Sequence, residues 1–306
     1  MDFIKPFFEG KNRLVQVLFL LLFIAVGAVV FSSLGLLIAY VVFHTHDMYE
    51  ASNPAAFILI TQGFSSVGMF LAPALMFAYA HDRKWLQYND GNRLPNYLLV
   101  NVTLVLSIVI LPIIALLSQW NQAIELPAGL GRLRQWMIDM DTQTEAITSM
   151  LTSKHTYATL AVNILVLAFL PALCEEFMFQ GTIQAFLTKW WRNPHAAIWV
   201  TALIFSAIHF QISGFIPRML LGAYMGYLFY WSRSIWLPVL AHFLHNALSL
   251  MVDFTFQGRG ISLDDMKFTD IHGAIPLVIS CMVVTFISLL FMWRTQKELN
   301  DSEKDL

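Results

Sequence analysis

Charge is scarce in this sequence. Of 306 residues only 12% are Asp, Glu, Lys or Arg, 58% are hydrophobic, and the mean hydropathy is +0.63. So few polar side chains cannot cover a globular surface of this size, which excludes a soluble domain and points to an integral membrane protein in the lipid bilayer. A basic excess is missing as well. Eighteen Lys and Arg stand against twenty Asp and Glu, a formal net charge of -2, so nothing matches a phosphate backbone and nucleic acid is not an expected partner. Cysteine is nearly absent: Cys174 and Cys281 both lie in apolar stretches, which leaves no disulfide framework and no cysteine-based zinc site. There is no repeat of fixed period and no low-complexity segment. The first apolar run is too long for a signal-peptide core and has no small-residue cleavage pattern after it, so it is read as an uncleaved, tilted helix.

What the sequence does have is a series of apolar runs near the length of about 20 residues that crosses a hydrocarbon core. They fall at 14–43, 57–80, 97–118, 157–179, 196–211, 215–231, 235–254 and 274–293. The expected fold class is all-α, a polytopic membrane helix bundle with about eight transmembrane helices. The fifth and sixth runs are short and separated only by Ile212, Ser213 and Gly214, so that pair reads as a tight hairpin or a partly re-entrant element. The tail 294–306 is polar and is expected to fray.

Lys and Arg set the orientation. With the N-terminus inside, twelve of the eighteen fall in inner segments, including Lys11, Arg83, Arg93, Lys189, Arg233 and Arg294. The other six, Arg132, Arg134, Lys154, Arg218, Arg259 and Lys267, fall in outer ones. Both termini are therefore expected in the cytoplasm, and the expected location is a bacterial cytoplasmic membrane. The one substantial polar connection is 121–156. In it Leu130, Leu133, Met137 and Met140 recur at helical spacing, which fits either an amphipathic helix on the outer interface or a solvated helix packed on the ends of the bundle.

The costly residues carry the functional reading. An ionisable side chain at the centre of a span costs roughly 2.5 to 3.5 kcal/mol, and each Leu returns only about 0.3 to 0.6. Adjacent Glu175 and Glu176 are tolerable only if both carboxyls meet protein, water or an ion. A helix end near Cys174 would be a simpler explanation, but Phe177, Met178, Phe179, Ile183, Phe186 and Leu187 carry the apolar helix past the pair. His209 in the fifth span, and His242 with Asn246 in the seventh, have the two glutamates as their obvious partners. A core histidine bonded to a carbonyl is the commoner state of any one of them, whereas three spans contributing such groups point to one shared polar cavity. The i, i+4 spacing puts His242 and Asn246 on one face, with His245 expected on a neighbouring one. Two carboxylates, two imidazoles and a carboxamide can activate a water, directly or through a metal, and stabilise an oxyanion. The sequence holds no serine with a paired base and no His-x-x-x-His helix.

In order along the chain, Glu175-Glu176-Phe-Met-Phe-Gln180, Phe205-Ser-Ala-Ile-His209 and His242-Phe-Leu-His-Asn246 resemble the three motifs of the CAAX protease and bacteriocin-processing (CPBP, or Abi) family of intramembrane proteases, of which CAAX prenyl protease 2 is one kind. The resemblance covers about residues 160–254. It implies an eight-helix fold and hydrolysis of a peptide bond by water in a membrane-embedded cavity, by metallo- or glutamate-type chemistry. Glu175 and His209 would activate the water, Glu176 would support or share that role, and His242 with Asn246 would stabilise the oxyanion. Zinc is left open: Glu175, His209 and His242 could supply three ligands, and the same groups could hold a water directly. The implied partner is a membrane-associated peptide or protein substrate, with a prenylated one among the options. On this reading 1–156 is a scaffold with an outer amphipathic segment, 157–256 the protease module, and 257–306 an outer loop, a last span and a cytoplasmic tail.

One position departs from the family pattern. Its arginine is Gln180 here, which keeps hydrogen bonds but loses the charge and the bidentate fork. A non-catalytic scaffold or immunity protein is therefore one alternative. A proton-coupled transporter is another, because buried Glu and His serve there too.

Overall fold

The computed structural model describes residues 6–82, 85–123, 129, 131–211, 213–257 and 274–302, and all regular structure among them is helical. In chain order the helices are α1 (Arg13–Phe43), α2 (Pro54–His81), α3 (Trp85–Tyr88), α4 (Tyr97–Gln122), α5 (Gly131–Thr152), α6 (Tyr157–Trp191), α7 (Pro194–Ala207), α8 (Phe215–Ser232), α9 (Trp236–Gln257) and α10 (Ala274–Ser302). Six of them, α1, α2, α4, α6, α9 and α10, are long and apolar enough to cross a membrane. The chain is an all-α polytopic bundle.

The fifth and sixth runs form the hairpin of α7 and α8. At 1.5 Å per residue α7 is only about 21 Å long, short of the roughly 30 Å hydrocarbon core. Two expected boundaries move. The fourth helix does not stop at 179 but continues to Trp191, as the apolar residues after the glutamates require. The last one runs through Arg294 to Ser302, so the tail expected to fray is helical over most of its length. The segment 258–273 with Arg259, Asp264 and Lys267 lies outside the described residues, as do Arg83, Lys84 and Leu130.

Local sequence explains where the helices begin. Asn12, Asn53, Asn96, Thr156 and Asn193 each precede an apolar run and accept a hydrogen bond from a first-turn N–H, while Pro54 and Pro194 occupy the first turn, where no N–H is needed. Within α2 and α6 the helix widens to π geometry just before a proline. Val67–Leu71 precedes Pro73, and Ile164–Phe169 precedes Pro171. Proline removes an N–H and crowds the carbonyl four residues back, and a wider turn relieves both. Helix α1 crosses α2 where Gly27 meets Gly68: a β-carbon on either would collide with the other's carbonyl oxygen. Apolar helices in lipid gain little by burying more hydrocarbon, so close backbone approach at small residues is what holds such a crossing.

Helix α5 carries the expected amphipathic stripe only in part. Met137 and Met140 are half-buried, Leu133, Trp136 and Ile138 remain exposed, and Leu151 is fully buried at the far end. Helix α6 lies among α2, α7, α8 and α9, which puts the two glutamates at the centre of the bundle.

Candidate active site

A second π segment, Phe179–Gln184, follows the glutamates, so Glu175 and Glu176 sit in a nine-residue α-helical stretch, Leu170–Met178, between two widened ones. Adjacent residues on a helix point about 100° apart, and the two glutamates have separate surroundings. Glu175 faces a cavity of about 520 Å³ whose wall also includes Phe205, His209, His242 and Asn246. Glu176 is 1% exposed and lies behind that wall. Four of the five residues expected at the site thus share one cavity, and the fifth supports it from outside.

His242 joins the two glutamates. Its Nδ1 lies 2.7 Å from Glu176 Oε1, and its Nε2 lies 4.0 Å from Glu175 Oε2. The carboxylate accepts, so Nδ1 carries hydrogen and Nε2 is the nitrogen turned to the cavity. His209 is oriented in the same way. Its Nδ1 donates to the Phe205 carbonyl at 2.7 Å, which leaves Nε2 as the acceptor of a neutral ring. Phe205 stands between the two imidazoles, with ring centroids 5.1 Å from His209 and 6.1 Å from His242, both edge to face.

Two residues on this wall were not assigned to it from the sequence. His245 lines the cavity together with His242 and Asn246, which corrects its expected place on a neighbouring face. The i, i+3 spacing from His242 is as close around a helix as i+4, and that was the available signal. Arg218, counted as an outer-loop charge, is instead in the first turn of α8 and lines the same cavity.

Gln180 is 2% exposed and outside the cavity. Its Nε2 donates to the Gly222 carbonyl at 3.4 Å, and one turn on Gln184 Nε2 donates to the Gly226 carbonyl at 2.9 Å. The motif position that departs from the family therefore works in the contact between α6 and α8.

The three side chains that could hold zinc, Glu175, His209 and His242, all line the cavity. Among the described residues no three His, Cys, Asp or Glu side chains are grouped closely enough to hold a metal ion. Nδ1 of His242 is held by Glu176 and Nδ1 of His209 by the Phe205 carbonyl, the same outer support that a metal-bound imidazole has, so these bonds serve either chemistry. A larger hollow of about 970 Å³ lies beside the turn between α1 and α2. Its polar groups serve that turn, with Thr45 donating to Glu50 and the Tyr49 N–H to Asp47, so the convergent chemistry belongs to the smaller cavity.

Comparison with known proteins agrees with this geometry. Residues 157–248 match the family model described as Type II CAAX prenyl endopeptidase Rce1-like. The uncharacterized protein YpbD of Bacillus subtilis (strain 168) is 29% identical over 90 residues, which is 28% of this chain and 43% of that protein. The chain thus matches less than half the length of that relative. No solved structure matches. The matched residues run from the start of α6 into α9 and hold Glu175, His209, His242 and Asn246, so over 157–248 this chain is similar to the Rce1-like endopeptidases.

Proposed function

We propose that the protein is an intramembrane endopeptidase that hydrolyses a peptide bond of a membrane-associated substrate with a water held in the α6–α9 cavity. The convergence of Glu175, His209, His242 and Asn246 on one cavity wall carries this reading. Glu175 is the general base. Its carboxylate takes a proton from a water that also donates to His209 Nε2, and the hydroxide attacks the scissile carbonyl carbon. The carbonyl oxygen becomes an oxyanion facing His242 Nε2–H and the Asn246 side-chain amide. As the tetrahedral intermediate collapses, Glu175 returns its proton to the leaving nitrogen, the C–N bond breaks, and an acid and an amine leave.

For His242 to donate through Nε2 while Nδ1 donates to Glu176, both ring nitrogens must carry hydrogen. Glu176 supplies the negative charge that pairs with this imidazolium. That makes Glu176 a positioning residue and leaves water activation to Glu175. Donors fixed before the reaction stabilise a developing oxyanion by amounts worth about 10² to 10³ in rate for each one removed. No step is routed through a metal.

Gln180 also fits an active enzyme. The family arginine is absent from a position whose side chain here bonds α8 at the Gly222 carbonyl, outside the cavity that holds the groups that would touch water or oxyanion. The test is cleavage of a panel of prenylated and unprenylated peptides by the purified protein in lipid vesicles. Wild-type protein cuts at least one class, and Glu175→Gln cuts none while keeping its helical spectrum and elution volume. Equal cleavage by Glu175→Gln, or none by either form across the panel, would overturn the reading in favour of a non-catalytic role.

A further inference from the structure

Arg218 is the cation on the cavity wall that the proposed chemistry leaves unused. Its Nη2 donates to Gln211 Oε1 at 2.5 Å. Its Nη1 is buried with no hydrogen-bonding protein acceptor, and no carboxylate of a described residue lies within the 4.0 Å of an ion pair. A guanidinium has five N–H donors in a planar fork that matches a carboxylate. One edge of the fork is held by a neutral amide, and the other has no protein partner.

The surroundings hold the group ready. A β-carbon on Gly214, also on the cavity wall, would stand 3.0 Å from Nη2 and 3.4 Å from Cζ, so the guanidinium lies close against the glycine. The turn that presents it is tied to three other elements. Ser206 Oγ donates to the Phe215 carbonyl at 2.6 Å, the Ile216 N–H donates to Asn121 Oδ1 at 3.2 Å, and the Ser213 N–H donates to Asp141 Oδ2 at 3.3 Å.

Its height in the membrane follows from the α6–α8 contact. Gln180 meets Gly222 and Gln184 meets Gly226, so the two helices run parallel with residue numbers 42 apart. One turn back along both is the level of Glu176 and Arg218. The guanidinium is therefore beside the glutamates, within the length of a bound peptide from the reaction point.

From the unfilled fork, the glycine against it and this register we infer that Arg218 binds a carboxylate of the substrate and so helps determine which peptides are cut. The carboxylate belongs to the peptide's C-terminus or to an Asp or Glu side chain near the cleaved bond. This rests on the endopeptidase reading, and its test is built to fail separately. Binding is measured on full-length Glu175→Gln protein in nanodiscs, so that no turnover is needed. The probes are three peptides of one sequence: a free C-terminal carboxylate, a C-terminal carboxamide, and the carboxamide with an added Asp.

A charge-assisted contact of this kind is worth roughly ten- to a hundredfold in affinity. Glu175→Gln protein binds a carboxylate-bearing peptide tighter than the plain carboxamide by that factor, and the third peptide tells terminus from side chain. Adding Arg218→Gln erases the preference and leaves carboxamide affinity unchanged, while Arg218→Lys keeps part of it. Equal binding of all three peptides overturns the inference even if wild-type protein is a protease. So does an Arg218→Gln loss that falls equally on every peptide, which would make Arg218 a structural cation. A carboxylate preference in a protein that cleaves nothing upholds it while the endopeptidase reading fails.

Discussion

Glu176 stands directly behind His242, Oε1 to Nδ1 at 2.7 Å, and both are almost fully buried. This pair gives the two adjacent glutamates different surroundings although nothing in their own chemistry distinguishes them. If Glu176 acts only through His242, Glu176→Gln and His242→Ala each lower kcat by about 10² to 10³, and the double variant is little worse than either alone, because residues that act as a unit are non-additive. Single-turnover rates of the three variants check this. Losses that multiply would mean that Glu176 reaches the water on its own.

His245 shares the cavity wall, yet among the described residues neither glutamate lies within ion-pair distance of it. Its contribution is expected in substrate binding. His245→Ala raises KM several-fold and leaves kcat within about threefold of wild type, the pattern of lost uniform binding. A fall in kcat matching that of His242→Ala would place His245 among the reacting groups.

The Gln180 and Gln184 bonds to the Gly222 and Gly226 carbonyls tie α6 to α8. Restoring the family arginine tests this contact. Gln180→Arg displaces the bond to the Gly222 carbonyl and buries a guanidinium one turn from Glu176, whose Oε2 has no hydrogen-bond partner among the described residues. Because desolvating the charge costs several kcal/mol, it is expected to lower thermal stability without raising activity. Gly226→Ala puts a β-carbon 2.7 Å from Gln184 Oε1 and 2.9 Å from Ile198 Cγ2, and overpacking of this kind costs about 1 to 3 kcal/mol. Thermal unfolding in detergent reads both. A Gln180→Arg protein that is more stable or more active would contradict this account of α6 and α8.

Orientation is open to labelling. With Arg218 moved from an outer loop to the cavity wall, the split of Lys and Arg favours cytoplasmic termini more strongly than the sequence count did. Cysteine at Asp47 should react with an impermeant reagent from outside intact cells, and cysteine at Arg233 or Arg294 only after lysis. Outside labelling of Arg233→Cys would reverse the topology.

Much of the site was legible because lipid makes polar residues conspicuous. Glu175, Glu176, His209, His242 and Asn246 stood out as costly groups in apolar runs, and each run was long enough to be read as a helix. What stayed hidden was angular or local. The i+4 argument for Asn246 ignored that i+3 lies equally near, which misplaced His245. Arg218 follows Ile212, Ser213 and Gly214 so closely that it read as loop, although its helix begins at Phe215. The π segments have no sequence signature beyond the prolines that follow two of them. Nothing in composition separates the roles of adjacent glutamates, which only the position of His242 distinguishes.

The paired glutamine bonds also act as a gauge. Because they fix α6 against α8 without regard to what occupies the cavity, the spacing between Glu175 and Arg218 belongs to the protein and not to the substrate. A peptide held by Arg218 and opened opposite Glu175 would be cut at a set distance from its anchored carboxylate, and where that carboxylate is the C-terminus the released fragments would be of uniform length from chains of different sequence.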